Sequence, residues 1–170
     1  MADEIKYNPK KLKSAVHYII SKCGLNSNVG RTVIYKLLYF SDFNFYELYE
    51  TPITGESYIK KPNGPVPEHF IQVKEDLINE GKIKEEIKKA ITYPQYRYAS
   101  LIAPDITILD KKELEIIDDT INKLSDMSAT EISNYSHGDL PWRIAENNAV
   151  LDYEYVFYRN PEYIVREYDE

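Results

Sequence analysis

The residues of this chain that could do chemistry are few. One cysteine, Cys23, can neither close an internal disulfide nor build a thiolate zinc site. The three histidines, His17, His69 and His137, stand far apart with no H-x-x-x-H spacing, so no metal site is expected. Ser136-His137-Gly138-Asp139 holds the residue types of a nucleophile, a base and an orienting acid. Neighbours in sequence do not easily converge on one another, and no G-x-S-x-G elbow surrounds the serine. The stretch therefore reads as a helix terminus. Six scattered glycines offer no phosphate loop. No catalytic residue and no cofactor is expected.

Binding is what the remaining composition suits. The chain has 170 residues, 16 of them tyrosine against five Phe and one Trp. Tyrosine has an apolar body and a polar tip, which serves half-buried sites and interfaces. Charge is unevenly spread: residues 1–109 carry net +2 and residues 110–170 net −9, for −7 overall. An acidic C-terminal third suits a basic protein partner, or simply keeps the surface solvated. The N-terminus lacks the apolar region of a secretory signal, and no run approaches the ~18 apolar residues of a membrane span. The expectation is a single cytoplasmic domain over residues 1–170, with no membrane contact.

The elements that would position these residues follow from periodicity. Asn8-Pro9 opens a first helix whose apolar stripe runs from Leu12 to Cys23, with Gly24 as a left-handed cap. A longer helix, about 30–49, is apolar on most of its circumference and should be central; Pro52 stops it. Ile53–Ile59 reads as a turn and short strand, and Asn63–Pro67 as a rigid turn. A third helix is expected at about 67–80, closed by Gly81. Two strands follow, about 82–90 and 95–102. Asp110 caps a further helix, Ser128-Ala129-Thr130-Glu131 forms a capping box, and Pro141-Trp142 opens a last short helix. Residues 150–168 read as a short strand or helix and a docked tail.

This order is α+β and mainly helical. A winged-helix-like part spans 8–102, and C-terminal helices fill 110–168. A winged helix raises nucleic acid as a partner. The third helix, however, carries Glu68, Lys74, Glu75, Asp76 and Glu80, net −3, against net +3 on the hairpin. Phosphate contacts supply much of DNA affinity, so an acidic recognition helix argues against duplex readout. A winged-helix DNA-binding regulator stays the alternative to a protein-binding role.

Three motifs carry a family resemblance. Lys36-Leu37-Leu38-Tyr39-Phe40-Ser41-Asp42, then Pro52-Ile53-Thr54-Gly55-Glu56-Ser57-Tyr58, then Gly64-Pro65-Val66-Pro67 resemble the Panacea domain of SocA-like antitoxins. Ser136-His137-Gly138-Asp139-Leu140-Pro141-Trp142 is similar to that family's later S-H-x-x-x-P-W segment. The likeness spans about residues 10–168, with Ser41 where alanine is commoner. It implies an antitoxin that neutralises a toxin, usually encoded next door, by direct contact and without catalysis; members are often linked to phages. Tyr58, Pro65, Pro67, His69, His137, Asp139, Trp142 and Arg143 are the residues expected to form the partner surface. Stiff prolines lose little entropy on binding, and aromatic and arginine side chains are enriched in hot spots.

Overall fold

The computed structural model describes residues 4–89 and 93–169. Helix α1 (Pro9–Cys23) is capped as its sequence requires: the Asn8 carboxamide oxygen accepts from Lys11 N at 3.1 Å. Gly24 is a correction, because it is right-handed, at φ −60°. Its lack of a side chain matters for space instead. A Cβ there would stand 2.6 Å from both the Ile20 and Tyr98 carbonyl oxygens.

Helix α2 (Arg31–Tyr49) is the centre of the molecule. Val33, Ile34, Leu37, Tyr39 and Phe43 are all fully buried, so burial on nearly every side matches the apolar circumference of this helix. The core runs from Leu12 on α1 to Tyr163 near the C-terminus.

The chain then forms a hairpin of β1 (Tyr58–Lys61) and β2 (Gly64–Pro67), where a turn is expected from the two prolines. Register explains the tolerance. Tyr58 pairs with Pro67 and Lys60 with Pro65, while Glu68 N donates to the Ser57 carbonyl at 2.9 Å. In an antiparallel ladder the bonding pairs alternate, so the prolines fall at positions whose N–H would point away from β1. The other edge of β1 is covered by residues 148–151. Lys60 N donates to the Ala149 carbonyl at 2.9 Å, and Leu151 N to that of Tyr58 at 2.8 Å.

Helix α3 (Phe70–Asn79) starts later than expected because Pro67 still belongs to β2. Strands β3 (Ile83–Lys89) and β4 (Pro94–Ser100) make the second hairpin; the expected strand end at residue 90 lies outside the described residues. Among the described residues the two hairpins are separate sheets. The winged-helix reading needs β1 to join the β3–β4 hairpin; β1 pairs with β2 instead.

Helices α4 (Lys111–Leu124) and α5 (Ala129–His137) both begin with complete capping boxes, Asp110 with Glu113 and Ser128 with Glu131. Helix α6 (Leu140–Ile144) is followed by a 3₁₀ turn at Tyr153–Tyr158 and a tail packed on α2. No helix among the described residues is long and apolar enough to cross a membrane.

Candidate functional site

The Lys36–Asp42 and Pro52–Tyr58 motifs meet first inside the fold. Asp42, on α2, accepts from Thr54 N at 2.7 Å, Thr54 Oγ1 at 2.6 Å and the Tyr58 hydroxyl at 2.6 Å. Burial pushes the Asp42 carboxyl up to about 6, against the pull of those three donors. Glu56 is also fully buried and accepts from Ser57 N, His69 N and His69 Nδ1 at 2.6–2.8 Å. The His69 ring stacks on Tyr7 at 4.3 Å. Glu56, Glu68 and His69 could in principle hold a cation, with ligand atoms within 4.8 Å of one another. Sequence reading missed that grouping by considering the histidine alone, but the Glu56 oxygens already serve the Ser57 and His69 donors.

Several expected surface residues are therefore interior. Tyr58 and Asp139 are 0% exposed, and Pro65 and Pro67 are buried. Tyr58 is pinned by Asp42 and by edge contacts with Tyr39 and Phe43. Asp139 is held by Arg159, with Nε to Oδ1 at 2.9 Å and Nη2 to Oδ2 at 2.8 Å. Ser136 Oγ donates to the Ser133 carbonyl at 2.7 Å, so serine, histidine and aspartate of this stretch face three different ways.

The structure does bring two of the expected segments together at the surface. The β1–β2 tip packs on the α5–α6 junction. Trp142 stacks on His137 at 4.3 Å and donates from Nε1 to the Lys61 carbonyl at 3.2 Å. The Lys60 ammonium lies 4.2 Å from the indole centroid and donates to the Ala145 carbonyl at 3.0 Å. Lys61, Pro62, Asn63 and Arg143 are exposed around this stack, and His137 and Trp142 half-buried. His69 lies apart, beyond the other end of β2.

Beneath the tip is a buried cation. Lys36 is 1% exposed and donates to the Pro65 carbonyl at 3.2 Å. Burial alone lowers its pKa to about 7. Gly64, at φ +113°, makes room for it: a Cβ there would overlap Lys36 Cε and Ser136 Oγ. Burial also holds the His137 ring below the usual histidine range, and Lys36 and Lys60 push the same way. No local sequence signal gives Lys36, Lys60 or Arg159 these roles, since their partners lie 20 to 85 residues away.

The other candidate surface is the β3–β4 hairpin with α3. Lys74 is the single basic residue of α3. It is buried and paired to Glu75 at 2.7 Å and Glu85 at 3.0 Å. The exposed side of α3 carries Ile71, Gln72, Glu75 and Asn79. On the hairpin, one Arg97 nitrogen donates to the Leu25 and Asn26 carbonyls, both at 3.0 Å. The exposed groups of α3 thus offer no cation to a phosphate, although Lys88 and Lys89 on the hairpin are exposed.

The family model of the SocA-like antitoxin, Panacea domain, matches residues 34–143. The match holds α2 from Ile34 onward, both hairpins and the chain up to the Trp142-Arg143 turn, and ends before Arg159 and the tail. No curated protein and no solved structure matches the chain.

Proposed function

This chain belongs to the SocA-like antitoxin family of Panacea domains, and on that ground we propose that it neutralises a cognate protein toxin by direct contact, without catalysis. The toxin is encoded in the adjacent gene, and the pair works in the cytoplasm. The observation that carries the contact is the platform of Lys60, Trp142 and His137, where the β1–β2 hairpin meets the Ser136–Trp142 motif within the family-matched stretch. The platform is fixed before binding by the indole hydrogen bond and the ring stack. Little ordering entropy remains to be lost, and Trp and Arg are the side chains that most often anchor interfaces.

In the Ser136-His137-Asp139 stretch the serine hydroxyl and the aspartate carboxylate serve the fold rather than a catalytic array. The exposed side of α3, which carries no cation, weighs against the alternative, a DNA-binding regulator. The test is induction of each neighbouring reading frame with and without this chain. Growth arrest by one frame, relieved by co-expression of the chain, is the expected result. Arrest that the chain never relieves contradicts the proposal.

A further inference from the structure

The overall charge of −7 and the acidic C-terminal third point to a basic partner, but the platform has the opposite character. Lys60, Lys61 and Arg143 converge on it from two segments far apart in sequence, and Glu146 is the one carboxylate within residues 143–148. Lys60 is committed to the Trp142 ring and the Ala145 carbonyl. Lys61 meets only a neutral group, Asn148 Oδ1 at 2.9 Å. The ion pairs among the described residues include neither Lys61 nor Arg143. Exposed Ile144 and Val150, at 46% and 56%, give an apolar margin beside these charges.

We propose that this platform docks an acidic element of the partner protein, with carboxylates reaching Lys61 and Arg143 and an apolar or aromatic group lying on the Trp142 face. Identifying that partner as a toxin rests on the antitoxin reading; the charge complementarity does not. An arginine fork takes a carboxylate through two parallel hydrogen bonds, and a lysine takes one as a point charge. The alkyl margin lowers the cost of laying a side chain on the indole. Because both cations are at the surface, the attraction is screened by salt and acts strongly on the association rate.

Trp142 is the single tryptophan of the chain, so its emission reports this surface alone. The test is a fluorescence titration of the full chain with a decaglutamate peptide at low salt. Parallel arms use decalysine, mixed-sequence duplex DNA, and the Lys61→Glu/Arg143→Glu variant. The expected result is a saturable change with decaglutamate, weakened at least tenfold in a double variant that melts like the parent, and none with decalysine. No saturable change up to millimolar peptide overturns the proposal, as does an equal change in the double variant. Saturation by duplex DNA at lower concentration than decaglutamate also overturns it, in favour of a nucleic-acid surface. A chain that rescues growth yet ignores decaglutamate keeps the antitoxin reading and loses this one. A chain that binds decaglutamate but rescues nothing does the reverse.

Discussion

Arg159 grips Asp139 through two parallel hydrogen bonds, Nε to Oδ1 at 2.9 Å and Nη2 to Oδ2 at 2.8 Å, with both side chains fully buried. Tyr39 adds its hydroxyl to Oδ2 at 2.8 Å, and Arg159 Nη1 reaches Glu47 at 3.0 Å. The backbone carbonyl of Asp139 in turn accepts from Trp142 N and Arg143 N, both at 3.1 Å. The pair thus ties the tail and α2 to the turn that carries the platform.

Removing Asp139 strips the buried Arg159 of its two-pronged acid partner, leaving it Glu47, and takes the acceptor from the Tyr39 hydroxyl. Asp139→Ala should therefore cost about 3–5 kcal/mol of stability, the usual range for a broken buried pair. Urea unfolding measures it. A loss under about 1 kcal/mol means that Arg159 finds water or another acid, and that the tail is not bolted as described.

Tyr58 and Arg143 should separate structure from contact. Tyr58→Ala removes a fully buried aromatic and its bond to Asp42, and should cost about 3–5 kcal/mol. Arg143→Ala lies at the surface and should melt within about 0.5 kcal/mol of the parent while losing rescue of toxin-expressing cells. Full rescue by Arg143→Ala moves the contact off the platform.

Much of the architecture is legible from local rules. Asn8, Asp110 and Ser128 cap where they should, and the apolar circumference of α2 marks it as central. What misleads is proline. Pro65 and Pro67 read as a turn because the sequence does not tell which side of β2 needs its N–H groups; the register does. Tyr58 misleads for a related reason. Tyrosine suits a surface, and only the distant Asp42 makes its hydroxyl affordable inside. The platform is half legible. Its Trp142 and Arg143 stand out by residue type, whereas Lys60 and Lys61 join them only through a contact 81 to 85 residues long.

Stability should depend on pH in two windows that do not overlap. Unfolded lysine titrates near ~10.4, but folded Lys36 near about 7. Between these values the unfolded chain holds the extra proton, so the Lys36 contribution to stability rises with pH from about 7 to about 10. Asp42 is opposite: its folded value is about 6 against ~3.9 unfolded. There the folded chain holds the extra proton, and the contribution falls as pH rises from about 4 to about 6. Each swing is on the order of a few kcal/mol at most, at about 1.4 kcal/mol per pH unit. Urea midpoints across pH should show Lys36→Met flattening the upper window and Asp42→Asn the lower. Unchanged slopes in either variant contradict the assignment for that residue.

Duplex DNA should not be bound specifically. With Lys74 buried and paired, α3 offers no cation to a phosphate. A shift assay at physiological salt should show nothing in the ~10⁻⁸–10⁻¹¹ M range of specific sites. Binding there, to the chain's own promoter, restores the regulator reading.

The central claim is neutralisation by contact, and the most direct measurement uses purified components. The toxin's own activity is titrated with this chain while the mass of the mixture is followed by light scattering. The account predicts inhibition that saturates at a fixed stoichiometry together with a complex of matching mass. Rescue in cells without inhibition or complex formation between the purified proteins would contradict it.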